Sequence, residues 1–402
     1  MGIETLAPRL AGIGTSPAAV LRRRARELRA AGRDVIELSS GDLDFPTPPH
    51  VIEAAHRAAQ EGATRYTNVD GTPELKDAVR EKFLRRNGLD YGRDEVIVST
   101  GSTQAIFNAF FATLAPGDEV IVPVPCWAPY LDQVRLAEGV PVPLACPQNN
   151  GFKLRPADLR AAIGSRTRWL ILNSPVNPTG AVYGRDELAA IAEVLLEHPD
   201  IGVVADSLYE DMVFDGRAVP TLAEVEPRLR DRVLTTGGVA KSYAMMGWRV
   251  GYAGGPAPLI AALSRIQSQT TGGASSVSQA AALAALTGPQ ELLAERASIL
   301  ARRRDAFAAA LNACEGLACP VPEGSFYLFI DCAGVIGKRT PQGARIETDR
   351  DFAAYLLDTV DVVVVAGQDF GLSPYIRASF ANPDALLEEA GQRIRRACAA
   401  LR

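Results

Sequence analysis

Cysteine is scarce in this sequence, and the six cysteines lie far apart. They form no C-x-x-C pair, and they are too sparse for the disulfide framework of a small secreted domain. We therefore expect reduced thiols, as in a cytoplasmic protein.

Long apolar runs and an export signal are missing as well. No uninterrupted apolar run approaches the roughly 18 residues that a membrane-spanning helix needs. Residues 1–34 contain no apolar segment typical of a signal peptide, and Leu6 stands where the myristoylation pattern requires serine or threonine. We expect a soluble protein of the cytoplasm that has no membrane partner.

The sequence also lacks an excess of positive charge. Lysine and arginine number 42 against 47 aspartates and glutamates, which gives a net charge of -5. No general attraction to phosphate backbones follows from this balance, so nucleic acid is not an expected partner. The hydrophobic share of 47% in 402 residues is that of a globular protein, and at roughly 150 residues per domain the length predicts two or three domains.

Short apolar runs alternate with amphipathic helical patterns from about residue 46 to residue 285. The runs are EVIVST, EVIVPV, RWLILNS, IGVVAD and RVLTTG. Their hydrophobicity is continuous rather than alternating, which indicates strands covered on both faces. We predict a parallel α/β layer.

The pattern changes near residues 286–289. A long arginine-rich helical pattern follows and leads into GSFYLFIDC, VDVVVVAG and PYIRASFA, which predict a smaller mixed sheet. The first 45 residues contain a helix of their own that could pack against this sheet. We therefore predict a large domain at 46–285 and a small domain formed by 1–45 and 286–402.

Ligands of open α/β sheets bind outside the carboxyl ends of the strands, so polar residues directly after a strand are the first candidates. Gly101, Ser102 and Thr103 follow EVIVST and open a helix, whose free N–H groups suit a phosphate. An ordinary helix cap by Ser102 is the alternative. Asn177 lies in a Pro- and Gly-rich stretch after RWLILNS, and alone this stretch reads as a turn.

A second pair of candidates follows IGVVAD. Asp206 ends this buried strand, where a lone carboxylate is unfavourable unless a cation or several donors meet it. Tyr209, three residues later, could share that site. A structural cap or a salt bridge accounts for Asp206 equally well.

The stretch TTGGVAKSYAMMGWRVGYAGG, residues 235–255, surrounds Lys241 with small residues and places Arg249 eight positions further on. A lysine among small apolar groups loses hydration, which lowers its pKa and frees the amine to form a Schiff base with a carbonyl. Small neighbours also leave room for a flat cofactor. The alternative is a surface lysine in a glycine-rich loop.

Together these segments closely resemble one family, the class I/II pyridoxal-phosphate (PLP) aminotransferases of fold type I, in the subgroup with many bacterial aspartate and aromatic aminotransferases. The matching stretches, in family order, are SSGDLDFPTP, TRYTNVDGTPELKDAV, STGSTQAIFN, NSPVNPTGAVY, ADSLYEDMVFDG, VAKSYAMMGWRVGYAGGP, EGSFYLF and LSPYIRASFA. The resemblance implies an α/β fold, with a mainly parallel seven-stranded sheet between helices and a smaller α+β domain.

The resemblance assigns the catalytic residues. Lys241 would carry the cofactor as a Schiff base and then move the proton between the substrate's α-carbon and the cofactor. Asp206 would pair with the pyridine nitrogen, and Tyr209 and Asn177 would hydrogen-bond the phenolic oxygen of the ring. No metal ligand is implied.

The resemblance also assigns the phosphate site. Gly101, Ser102, Thr103 and Arg249 would hold the cofactor phosphate, together with Tyr66 of the partner subunit. It therefore implies a homodimer with shared active sites.

Substrate contacts follow from the same resemblance. Arg377 would bind the α-carboxylate of the amino acid or 2-oxo acid as a bidentate pair, with Asn177 and the Gly41 backbone nearby. Trp127 would stack on the cofactor ring, unless it is an ordinary core aromatic.

One departure from the family bears on the substrate. Thr103 occupies the position where aspartate-using members carry a lysine for the distal carboxylate, and residues 12–20, GIGTSPAAV, offer only small and neutral groups. We therefore expect aspartate not to be the preferred donor and a neutral, aromatic or polar side chain to be favoured, with glutamate or alanine as second substrates.

Three functions are compatible with these residues. The first is an aminotransferase that works by a ping-pong mechanism. The second is another PLP reaction of an amino acid, such as β-elimination, racemisation or oxygen-dependent oxidation. The third is a regulatory or scaffold protein, against which the complete set of site residues argues.

Overall fold

A computed structural model describes residues 7–10, 12–14 and 17–402. The strands are β1 (Ile36–Glu37), β2 (Val96–Ser99), β3 (Glu119–Val124), β4 (Val140–Ala145), β5 (Thr167–Asn173), β6 (Gly202–Asp206), β7 (Val233–Gly238), β8 (Gly251–Gly254), β9 (Tyr327–Asp331), β10 (Val362–Val363), β11 (Val365–Ala366) and β12 (Tyr375–Ser379). The helices are α1 (Pro17–Ala30), α2 (Pro49–Gln60), α3 (Pro73–Asn87), α4 (Ser102–Thr113), α5 (Pro129–Leu136), α6 (Pro156–Ala162), α7 (Arg185–Leu196), α8 (Leu222–Val225), α9 (Val239–Ser242), α10 (Ala257–Thr270), α11 (Ser276–Thr287), α12 (Glu291–Asn312), α13 (Asp349–Val360) and α14 (Asp384–Ala399).

The central sheet has seven strands in the order β2-β8-β7-β6-β5-β3-β4. All neighbours are parallel except β8, which is antiparallel to both β2 and β7. The prediction of a mainly parallel seven-stranded sheet is therefore confirmed.

Helices cover both faces of this sheet, as the continuous apolar runs predict. In β6, Val203 packs into the core that includes α7 and α11, whereas its neighbour Val204 packs into the core that includes α4 and α10. Successive strand residues point to opposite faces, so both must be apolar when helices lie on both sides.

Two strands of the sheet escaped the sequence analysis. The edge strand β4 contains Pro141 and Pro143, which cannot donate to a ladder and are tolerated at a sheet edge. The strand β8 is only four residues long and contains Gly251 and Gly254. Neither shows the branched apolar run by which the other strands were recognised.

A second core lies around the antiparallel sheet β11-β12-β9 and the helices α12 to α14. It also takes up Ile36 and Leu38 from near the start of the chain, and β1 pairs in parallel with β10. On α1, Ala25 and Leu28 pack with residues of α13 and β10. The domain boundaries at residues 45/46 and 285/286 stay a prediction.

Two further observations concern the described part of the chain. All six cysteines are buried and unpaired. None of the described helices combines the length and the apolar character that crossing a membrane requires.

Candidate active site

A cavity of about 550 Å³ opens at the carboxyl ends of the parallel strands. Asn173 and Asp206, the last residues of β5 and β6, lie side by side in register at its floor. Among the residues predicted to form the site, those that line the cavity are Gly41, Gly101, Ser102, Thr103, Trp127, Asn177, Asp206, Tyr209, Lys241, Arg249 and Arg377. Tyr66 does not line it, and its side chain is fully exposed.

The first turn of α4 forms one wall. Its N-cap is Gly101, which has a φ of 81° and no side chain to cap the helix. Ser102 is the first helical residue, so the alternative that Ser102 caps the helix is wrong. The leading N–H groups of α4 therefore have no side-chain cap and are suited to an anion.

Two close approaches build this wall. A Cβ atom on Gly251 of β8 would lie 2.0 Å from the backbone nitrogen of Ser102, so only glycine lets α4 begin this close to the sheet. A Cβ atom on Gly101 would lie 2.6 Å from Nη2 of Arg249, which places the guanidinium directly over the helix start. Arg249 itself has a φ of 53°, and its Nη1 donates to the Met246 carbonyl at 2.9 Å.

Asp206 is buried, and its carboxylate accepts hydrogen bonds rather than forming an ion pair with a cation. Its Oδ2 accepts a hydrogen bond from the Tyr130 hydroxyl at 2.5 Å, and its Oδ1 accepts one from the Leu208 N–H at 3.1 Å. Within the described part of the chain no lysine or arginine forms an ion pair with it, so the salt-bridge alternative is wrong. Burial raises the pKa of the Asp206 carboxyl, which is the expected consequence of an uncompensated buried charge.

Tyr130 is a site residue that the sequence analysis missed. It lies in α5, three residues after Trp127, and the two rings meet edge to face with centroids 5.2 Å apart. Burial raises the pKa of the Tyr130 hydroxyl, so this group stays a proton donor. The search for polar residues directly after a strand, the strand-end rule, could not find Tyr130 because this residue lies inside a helix.

Lys241 lies in the single helical turn α9 that follows β7. Its Nζ donates to the Gly41 carbonyl at 2.7 Å. Burial lowers the pKa of Lys241 to about 8, helped by the positive charges of Arg377 and Arg249 and opposed by Asp42. The alternative of a surface lysine in a glycine-rich loop is therefore wrong, and the lowered pKa leaves a minor part of the amine uncharged at neutral pH.

Arg377 lies in β12, is buried and also lines the cavity. Its Nη1 donates to Oδ1 of Asn177 at 2.9 Å, and its Nη2 donates to the Ser39 carbonyl at 2.7 Å. The Nε atom has no hydrogen-bond partner among the described residues, and no described carboxylate pairs with the guanidinium. The backbone carbonyl beside Arg377 is thus that of Ser39, whereas Gly41 contacts Lys241.

Asn177 and Tyr209 complete the inner surface. The Asn177 N–H donates to Oδ1 of Asn173 at 2.9 Å, and Nδ2 of Asn173 donates to the Asp206 carbonyl at 3.0 Å. The stretch around Asn177 is therefore a turn that also holds a site residue in place. The Tyr209 hydroxyl lies 3.5 Å from that of Tyr327, a second residue that the sequence analysis did not assign.

The structure describes the N-terminal segment 12–20 only in part. Thr15 and Ser16 lie outside the described residues, as do the side chains of Pro17 and Ala18, so closure of this segment over a substrate stays a prediction. Arg22, which follows this segment in α1, lines the cavity.

Comparison with known proteins places this arrangement in a family. A model of the family "Aminotransferase class I and II" matches residues 33–394. The chain belongs to this family.

Individual aminotransferases match over nearly the whole chain. "Aspartate aminotransferase" of Rhizobium meliloti (strain 1021) is 52% identical over 392 residues, covering 98% of this chain and 96% of that protein. "Aspartate/prephenate aminotransferase" of Cereibacter sphaeroides is 51% identical and covers 98% of this chain and 99% of that protein. A solved structure of the Thermus thermophilus aspartate aminotransferase with maleate has a TM-score of 0.90 at 38% identity, covering 98% of this chain and 100% of that one.

Membership confirms several predictions. This aminotransferase has the fold of PLP enzymes of fold type I, uses PLP as its cofactor and is a transaminase. The expectation that aspartate is not the preferred donor finds no support, because the names of these relatives run against it.

The cavity of this aminotransferase fits the cofactor. The uncapped start of α4 beneath Arg249 suits a phosphate, and the buried carboxylate of Asp206 lacks a cation that a protonated ring nitrogen can supply. Lys241 has an amine of lowered pKa that faces the same space. No described group of His, Cys, Asp and Glu side chains could hold a metal ion.

Proposed function

We propose that this aminotransferase takes the amino group from L-aspartate and passes it to a 2-oxo acid in a ping-pong cycle. The observation that carries the proposal is that Lys241, Asp206 and Arg377 face one cavity, and that no described residue neutralises Asp206 or Arg377 by an ion pair. The names of the relatives support aspartate as the donor.

Residues that line the cavity would hold the cofactor. The start of α4 and Arg249 would bind its phosphate, and Asp206 would keep a proton on the ring nitrogen. When bound, PLP draws electrons away from the substrate's α-carbon. Tyr209 and Asn177 would donate hydrogen bonds to the ring oxygen, and Trp127 would pack on the ring face.

Lys241 would move the proton. A pKa of about 8 leaves part of the Nζ uncharged at neutral pH, and a base whose pKa lies near the working pH is the most effective. The amine would accept the proton from the substrate's α-carbon and release it again later in the half-reaction. The Gly41 carbonyl, 2.7 Å from Nζ, orients the side chain.

Arg377 would bind the α-carboxylate of both the amino acid and the 2-oxo acid. Its guanidinium is held by Asn177 and the Ser39 carbonyl and stacks 4.1 Å from the Tyr327 ring centroid. A planar donor group held this rigidly matches a carboxylate better than a lysine does.

A half-reaction screen tests the donor. The holoenzyme is mixed with single amino acids, and the loss of the cofactor's visible absorbance band is followed. We expect aspartate to give the highest kcat/KM and the band to return when a 2-oxo acid is added. A higher value for alanine or phenylalanine would overturn aspartate as the donor, and a band that does not return would overturn the ping-pong cycle.

We also propose that the enzyme is a homodimer in which Tyr66 of the partner subunit reaches the cofactor phosphate. The side chain of Tyr66 is fully exposed in the single chain, more so than any other large hydrophobic side chain among the described residues. Arg249 at the phosphate site is also exposed, so this site is open toward solvent in one subunit alone.

Removing the Tyr66 hydroxyl tests this arrangement. Tyr66→Phe loses one hydrogen bond to a charged group, worth about 1.5–3 kcal/mol, so we expect a modest loss of PLP affinity in a cofactor titration. Tyr375→Phe is the matched control, since that hydroxyl bonds to Gln148 rather than facing the cavity. Sedimentation that finds a monomer with full PLP affinity would contradict the shared site.

A further inference from the structure

Four cationic side chains line the cavity: Arg22, Lys241, Arg249 and Arg377. The proposed function gives tasks to Lys241, Arg249 and Arg377. It gives no task to Arg22. This residue lies in the helix α1, a different part of the fold from the other three.

The environment of Arg22 differs from that of its neighbours along α1. Arg23 and Arg24 are exposed and lie 3.9 and 3.7 Å from the carboxylate of Glu27. Arg22 is only half-exposed, and it forms no ion pair with any aspartate or glutamate among the described residues. It therefore presents an uncompensated positive charge to the cavity.

Among the described residues, none of the acidic side chains that line the cavity forms an ion pair with Arg22. Asp369 is already paired with Arg350, and Asp206 lies at the cavity floor with Tyr130. Asp42 is exposed and accepts a hydrogen bond from the Ser40 hydroxyl at 2.8 Å.

Arg22 also lies near the other cations. All of them line one cavity, and the charge of Arg22 lowers the pKa of both Lys241 and Arg377. An anionic group between them relieves this repulsion.

We propose that Arg22 binds the side-chain carboxylate of a dicarboxylic amino acid or 2-oxo acid whose α-carboxylate lies on Arg377. The inference rests on the proposed role of Arg377 and deepens it, because it names the substrate class and the residue that selects it. It also explains how an enzyme with Thr103 in α4 accepts aspartate: the second cation comes from α1. A monocarboxylic substrate leaves Arg22 uncompensated.

Kinetics of three variants test the assignment. In Arg22→Leu, we expect the half-reaction kcat/KM for aspartate to fall roughly 10- to 100-fold, the loss expected for hydrogen bonds between charged groups. The value for alanine, which has no second carboxylate, should fall by a clearly smaller factor. Arg22→Lys should restore part of the loss, and the matched control Arg23→Leu should behave as wild type. An equal fall for aspartate and alanine would overturn the proposal.

Equilibrium binding gives a readout that does not depend on turnover. Succinate, an unreactive dicarboxylate, and butyrate, a monocarboxylate of the same length, are titrated into the holoenzyme by calorimetry. We expect the wild type to prefer succinate and Arg22→Leu to lose that preference. Unchanged succinate binding in Arg22→Leu would overturn the role of Arg22. If instead the wild type reacts best with alanine while Arg22→Leu loses succinate binding, the donor proposal fails and the Arg22 site stands.

Discussion

Replacing Lys241 by alanine is expected to abolish covalent attachment of the cofactor and to lower turnover by roughly 10²- to 10⁴-fold or more, the range for loss of a general base. The reason is that the same amine both attaches the cofactor and moves the proton during turnover. Its Nζ is the group of lowered pKa that faces the cavity, and no other lysine lines that cavity. The fold should survive, since the substitution shortens a side chain that projects into the cavity rather than into a packed core.

Two measurements check the effect. Borohydride reduction followed by mass spectrometry should fix PLP to Lys241, one of five lysines in the chain, and the Lys241→Ala protein should show no such adduct. Lys338→Ala is the matched control, because that lysine pairs with Glu315 at 2.5 Å on the exposed surface. A Lys241→Ala enzyme that keeps full activity would refute the assignment of the whole site.

Replacing Asp206 by alanine should slow the amino-acid half-reaction by roughly 10²- to 10³-fold, as for the removal of one preorganised electrostatic group. A buried carboxylate next to the ring nitrogen favours its protonated form, and without that proton the ring is a poor electron acceptor. Burial raises the pKa of Asp206, so its ionised form depends on the donors around it and on a positive partner. Rapid-mixing absorbance of the half-reaction measures the change directly.

Tyr130→Phe separates charge from hydrogen bonding. It keeps the carboxylate of Asp206 and removes the donor that lies 2.5 Å away, so we expect a smaller loss than in Asp206→Ala. Asp206→Asn keeps the shape and removes the charge, and it should resemble the alanine variant. A half-reaction rate in Asp206→Ala equal to that of the wild type would show that Asp206 does not act on the ring.

The strand-end rule worked at this site because its signal is local. An apolar run followed at once by a polar residue marks both the strand and its carboxyl end, as in the run that ends at Asp206. Parallel strands bring such ends to one edge of the sheet, so Asn173 and Asp206 lie in register. The position of Lys241 after β7 follows from the same pattern.

The strand-end rule could not find site residues that lie in helices and reach the cavity only through helix packing. Tyr130 reaches Asp206 from 76 positions away in the chain, and its placement depends on how α5 packs against the sheet. Arg22 enters the cavity from α1. Its neighbours Arg23 and Arg24 belong to the same run of three arginines but do not line the cavity. Which of three consecutive arginines faces inward depends on the rotation of α1 about its axis.

The sequence by itself determined the parallel α/β layer, the family and the residues at the strand ends, because periodicity and strand-to-loop transitions are properties of short segments. Only the tertiary structure decided that Tyr130 donates to Asp206, that Gly251 lets α4 begin beside the sheet, and that Arg22 adds a second cation for a substrate. Each of these depends on the distance between segments far apart in the chain, and close packing of side chains, rather than local pattern, sets that distance.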